Sequence, residues 1–176
     1  MIFWLFACSK LEKDTAEDVA CFDIPPQLFV GTGEHEYLSL EPEQEIVMVH
    51  GPQGGWHMLG SIYLTHTLSI VEIDYSITDL ESGVMVSNNH YRVGLVMEDE
   101  CSGYYPGMYG YLNVHELVDG DLDTPPELLG NHLLVMNMKS NDCTESQEER
   151  GDCVRSERWS EGEFIVRAAL DPVDQQ

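Results

Sequence analysis

Residues 69–78 set the tightest limit on how this chain folds. Val71, Ile73, Tyr75 and Ile77 alternate with Glu72, Asp74, Ser76 and Thr78. Successive side chains of a strand point to opposite faces, so this period of two predicts a strand with one face on a core and the other in water. Comparable segments rich in Val, Ile, Leu, Tyr and Met occupy residues 45–50, 56–67, 83–86, 91–97, 108–115, 133–139 and 162–170. Turn formers separate them, as in Gly51-Pro52-Gln53-Gly54-Gly55 and Asp119-Gly120-Asp121-Leu122-Asp123-Thr124-Pro125-Pro126, because Gly supplies positive φ and Pro presets a bend. No long helical period competes. About eight short strands at this spacing predict an all-β fold, a single antiparallel β-sandwich with an immunoglobulin-like arrangement. At 176 residues the chain suffices for one such domain and its core, and is short for two.

The amino terminus reads differently. Met1-Ile2-Phe3-Trp4-Leu5-Phe6-Ala7-Cys8 is apolar and resembles a bacterial lipobox, in which a peptidase cuts before a cysteine that already carries lipid. It lacks a cationic n-region and is shorter than the usual apolar stretch of about 7–15 residues. The competing reading is a short apolar strand with Cys8 as a buried thiol. Residues 9–18 are polar, as a tether must be. The expected organisation is therefore a signal remnant and lipobox over 1–8, a polar tether over 9–26 and the sandwich over 27–172. Lipidation at Cys8 implies a membrane partner through a lipid anchor and a place in the cell envelope. Ser9 rather than Asp follows Cys8, which by the same resemblance implies the outer membrane. No later apolar run approaches the roughly 18 residues that cross a bilayer.

Thirty-two acidic residues against 8 basic ones give a net charge of −24. Nucleic acid and anionic lipid surfaces are repelled by such a chain, while cations or basic partners suit it. The plainest role of the acidity is solubility. With Cys8 acylated, four cysteines remain, an even number that suggests pairing in an oxidising compartment. Cys143 and Cys153 flank a wholly polar stretch that has no hydrophobic means of holding itself together. A bridge there closes a short loop and is worth somewhat under about 3 kcal/mol on the chain-entropy account. Cys21 and Cys101 are then left to each other, pinning the start of the domain to a mid-chain loop.

One segment carries a family resemblance. Val30-Gly31-Thr32-Gly33 followed by Val47-Met48-Val49-His50-Gly51-Pro52-Gln53-Gly54-Gly55-Trp56-His57 resembles the Gly-Pro-Gln-Gly-Gly-aromatic-His signature of uncharacterised bacterial lipoproteins. The resemblance covers the first half of the chain. It implies an immunoglobulin-like domain in the envelope, and it supplies no catalytic residue. The Cys143–Cys153 excursion departs from the minimal form of that domain.

Candidate ligands are sparse. Met48 and His50 share one face of a strand, with His57 across the turn, and imidazole with thioether suits copper. The ordinary roles are core filling for Met48 and a hydrogen bond to a turn carbonyl for His57. Asp119, Asp121 and Asp123 alternate in a way that presents oxygens to calcium. They do not form an EF-hand, because Thr124 stands at the glycine position and Gly130 at that of the terminal glutamate. Trp56 is the expected core aromatic. In Ser102-Gly103-Tyr104-Tyr105-Pro106-Gly107-Met108-Tyr109-Gly110-Tyr111, Tyr104 and Tyr105 are the expected partner surface, with Tyr109 and Tyr111 facing the core. Arg150, Arg155 and Arg158 gather near the hairpin, where pairing with neighbouring acids is their simplest use. The chain has no Gly-x-Ser-x-Gly elbow, no His-Glu-x-x-His and no phosphate-binding glycine loop. The expectation is a lipid-anchored envelope binding or structural module without catalysis or resident cofactor, the alternative being an envelope metal-binding protein for calcium or copper.

Overall fold

The computed structural model describes residues 23–51, 54–117, 124–146 and 153–171. Ten strands and one short helix follow in chain order: β1 (Gln27–Thr32), β2 (Leu38–Ser39), β3 (Glu45–His50), β4 (Trp56–Thr65), β5 (Ile70–Asp79), β6 (Met85–Gly94), β7 (Val96–Met97), β8 (Ser102–Leu112), α1 (Pro125–Leu129), β9 (Leu133–Ser146) and β10 (Cys153–Leu170). Hydrogen bonding runs without a break through β2-β1-β4-β3-β10-β9-β5-β6, with β8 on the other edge of β4 and β7 on β8. The path doubles over into two layers. The front layer is β2-β1-β4-β8-β7 and the back layer is β3-β10-β9-β5-β6, so the expected all-β sandwich forms with ten strands instead of about eight.

β3 belongs to both layers. Residues 45–48 run parallel to β10, pairing Glu45 with Arg167 and Met48 with Leu170. The strand then crosses to the front, where Val49 and His50 pair antiparallel with His57 and Trp56 of β4. This is the one parallel pairing among the described strands.

The core lies between the layers. Met58, Ile62, Leu64 and Met108 from the front meet Ile73, Tyr75, Ile77, Met136 and Met138 from the back, all buried to within 1 % of full. Tyr75, not Trp56, is the aromatic enclosed by the sandwich. Trp56 sits at the end of β4, only partly buried against the core with the His50 ring 4.9 Å away. Tyr75 fits because two front-layer positions have no side chain. A Cβ on Gly60 would lie 2.5 Å from Met138 Cε and 2.9 Å from Tyr75 Cζ, and one on Gly110 would lie 2.6 Å from Ile77 Cδ1.

Two stretches that look like loops are strand. Ser87, Asn88, Asn89 and His90 continue β6 against β5, their polarity suiting a half-wet edge. Residues 140–146 and 153–160 extend β9 and β10 into a long hairpin. Its inward polar groups are satisfied in pairs: Ser140 and Ser160 share a hydrogen bond of 2.8 Å, and Asp142 accepts from Arg158 Nε at 3.1 Å. Cys143 and Cys153 form the expected disulfide near its tip. Cys101 is also disulfide-bonded, while Cys21, its expected partner, lies outside the described residues, as does Cys8. Helix α1 interrupts the expected loop; Thr124 donates from N and Oγ1 to the Glu127 carboxylate at 2.7 and 2.9 Å.

Gly60→Ala is expected to lower unfolding free energy by about 1–3 kcal/mol, the usual cost of overfilling a packed core. Gly94→Ala, whose Cβ would meet nothing nearer than Ser69 O at 4.0 Å, serves as the control. Equal urea midpoints for the two would contradict the notch. Tyr75 Oη is buried with no hydrogen-bond partner, so Tyr75→Phe should stabilise by about 1 kcal/mol, and a clear loss of stability would count against that assignment.

Candidate functional site

The outer face of the front layer carries the candidate site. By alternation β4 turns His57, Leu59, Ser61 and Tyr63 outward, and β8 aligns Tyr111 with His57, Tyr109 with Leu59 and Tyr104 with Tyr63. A register shift opposite Ser61 makes this possible. Pro106 and Gly107 form a bulge, and a bulge reverses which residues of a strand face outward. Tyr104, Tyr109 and Tyr111 thereby share the outer face, while Tyr105 aligns with Ile62 and packs against the core. Tyr109 and Tyr111 are 40 % and 57 % exposed, the reverse of the expected core orientation.

The segment joining β1 to β2 straps this face. Gly107 N donates to Gly33 O at 2.9 Å, Thr32 Oγ1 to Leu59 O at 3.0 Å, and Ser61 Oγ to Thr32 O. Ser61 is wholly buried under the crossing. Gly107 has φ +68°, and a Cβ there would sit 2.7 Å from Glu34 O; the backbones approach so closely that a side chain is excluded.

On one side of the strap lies a cleft of about 720 Å³ lined by Glu34, Val49, His50, Gly51, Gly54, His57, Leu59, Tyr109 and Tyr111. His57 is its floor. The ring is 6 % exposed, meets Tyr109 edge-on at 4.6 Å and lies 6.2 Å from Tyr111, while Tyr109 and Tyr111 stack on each other at 5.9 Å. His57 Nδ1 is buried without a hydrogen-bond partner, so the expected bond to a turn carbonyl is not made through that atom. Burial pushes the imidazole below its ordinary pKa and keeps it neutral at physiological pH. Gly54, at φ +85°, is part of the lining, with its N donating to Gly51 O at 3.0 Å.

His50 and His57 thus reach one cleft, but Met48 does not join them. It is fully buried in the core, because the residue enters the sandwich before β3 emerges at the front. Among the described residues no group of three His, Cys, Asp or Glu side chains is placed to hold a metal ion. Asp119, Asp121 and Asp123 lie outside the described residues. Arg158 faces inward to Asp142 instead of lying on a free surface. The cleft offers stacking walls, a neutral imidazole and one carboxylate. That suits recognition of a ligand with a flat or apolar body and a hydrogen-bonding group.

On the other side of the strap is a pocket of about 290 Å³ lined by Glu36, Tyr37, Tyr63, Glu98 and Tyr104. Here Tyr63 Oη donates to Glu98 Oε2 at 3.1 Å, and the Tyr37 and Tyr63 rings lie 5.6 Å apart at 47°. Of this pocket only Tyr104 carries a sequence signal. The sequence sign for the strap is Gly107 beside Pro106 in a strand, a pattern that marks bulges and close backbone approaches.

A neutral, buried His57 makes stability depend on pH with a definite sign. The unfolded chain takes up the proton near pH ~6.5, whereas the folded chain resists until lower pH. Stability contributed by the neutral ring is therefore full above pH ~6.5 and falls as pH drops below it. Between about pH 7.5 and 5 the urea midpoint of the parent should lose ground relative to that of His57→Phe, since the other titrating groups are common to both. Parallel curves would contradict the burial assigned to the ring.

No family model matches the chain, and no curated protein matches it. Among solved structures, it is similar to the CooA pilin subunit from enterotoxigenic Escherichia coli at 11 % identity, with 85 % of this chain and 100 % of that chain covered and a TM-score of 0.35.

Proposed function

We propose that this protein is a lipid-anchored binding module of the cell envelope that docks partners through the outer face of its front layer. The observation that carries the reading is the aromatic cleft over His57. A preformed cleft with an unpartnered imidazole nitrogen at its floor and two exposed stacked tyrosines at its wall offers a ligand both a hydrogen-bonding atom and apolar area. Tyrosines with apolar area and a polar tip are favoured at such interfaces. The lipobox-like Cys8 and the disulfide framework support an oxidising, extracytoplasmic setting. With no recognised catalytic motif in the sequence, binding is the simpler role.

The test has two parts. Full-length protein made in a bacterial host should enter the detergent phase, and Cys8→Ser should return it to the aqueous phase; equal partitioning sinks the anchor. A photocrosslinking residue at Tyr111 should yield a discrete adduct in the cells that make the protein, whereas one at Ile165 on the back layer should not. No adduct at Tyr111, or adducts from both positions alike, would sink the docking face. Thermal melting with calcium and with copper separates the metal-binding alternative, since a ligand of the native state raises the midpoint with its concentration.

A further inference from the structure

We propose that the pocket formed by Glu36, Tyr37, Tyr63, Glu98 and Tyr104 binds an alkylammonium group. Three phenol rings line it, and the face of an aromatic ring attracts a cation through its quadrupole. Two carboxylates stand at the same pocket, one on the strap and one just after β7. Among the described residues neither Glu36 nor Glu98 is paired with a Lys, Arg or His, so no basic side chain there competes with a cationic ligand for them. The hydrogen bond from Tyr63 to Glu98 holds ring and carboxylate in fixed relation. Burial raises the Tyr37 pKa, so that phenol stays neutral and adds no further charge.

The chemistry selects among ligands. An anion is repelled by both carboxylates and by the net charge of −24. A bare metal ion finds too few ligands. A neutral sugar would leave the carboxylate charge unanswered. An ammonium on an apolar stem meets rings along its methyl or methylene groups and carboxylates at its charge, and the field of an acidic protein concentrates such cations at its surface. The three rings favour a quaternary ammonium, whose charge is spread over methyl groups that need no hydrogen-bond acceptor, over the primary ammonium of a lysine side chain.

Titration of the full chain carrying Cys8→Ser, with 13C-labelled tyrosine, tests the site by NMR. The probes are choline chloride, Nα-acetyl-lysine methylamide and the uncharged choline isostere 3,3-dimethylbutan-1-ol, with ionic strength held constant. Choline should shift the Tyr37, Tyr63 and Tyr104 rings saturably, with the isostere at least tenfold weaker. Glu36→Gln and Glu98→Gln should each weaken binding at least fivefold with melting unchanged, since the amide oxygen introduced by Glu98→Gln still accepts from Tyr63. Choline should bind ahead of the lysine amide; the opposite order overturns the assignment to a quaternary ammonium and points to a basic protein instead. Equal binding of the isostere, unmoved rings with both cations, or full affinity in both Gln variants overturns the proposal. The inference rests on reading the front face as the docking surface, yet the two fail separately: a negative titration beside intact crosslinking at Tyr111 removes the ammonium site alone.

Discussion

A single buried carboxylate organises the end of the sandwich away from the cleft. Asp142, 2 % exposed, accepts hydrogen bonds from Arg158 Nε at 3.1 Å, Thr67 Oγ1 at 2.6 Å and Leu68 N at 3.3 Å. Arg158 in turn donates to Ile24 O at 3.0 Å and to His66 O. The pair therefore ties together the approach to β1, the β4–β5 turn, β9 and β10. Desolvating both ions is costly, and removing one partner of a buried pair commonly costs about 3–5 kcal/mol because the other is stranded. The β9–β10 register slips between Arg155 and Trp159, and that irregularity includes the residue that turns inward. Polar residues at a strand interior are thus a fastening.

The front face owes its shape to three departures from regular pairing. The crossing of β3 between layers leaves Met48 inside and carries His50 out to the cleft. The bulge at Pro106–Gly107 turns Tyr109 and Tyr111 outward. The strap laid over Ser61 divides the face into two concavities, giving one Glu34 and the other Glu36. Each departure is a backbone arrangement, and the side chains follow from it.

That explains what the sequence discloses and what it withholds. The alternation around Tyr75 announces β5, and the polarity between Cys143 and Cys153 announces their bridge, because each is a local pattern with one economical solution. β6 reads as two pieces because Ser87 to His90 carry no apolar signal, although their backbone pairs as well as any other. Tyr104 lies on the outer face as expected; Tyr105 does not, because both belong to one strand and adjacent strand residues face opposite sides, while Tyr109 and Tyr111 are turned outward by a one-residue bulge that unbroken alternation does not anticipate. The environment of His57 is invisible in the sequence because its ring neighbours, Tyr109 and Tyr111, come from β8, which local spacing does not bring to it.

The pairing of β3 with β10 also orders the assembly of the chain in time. Glu45 to Met48 find their back-layer partners only in Arg167 to Leu170, at the far end of the folded domain. Loop closure over such a span is slow to be rewarded, and sandwiches dominated by distant pairings fold on the slower side. Until the last strand arrives, one edge of β3 stands open with its amide and carbonyl groups unpaired, the kind of edge on which chains associate wrongly. A chain made from its amino terminus delivers β10 last. Its acidity, spread along the whole chain, then acts as more than a solubiliser of the finished fold, because it holds incomplete chains apart while the closing strand is still to come.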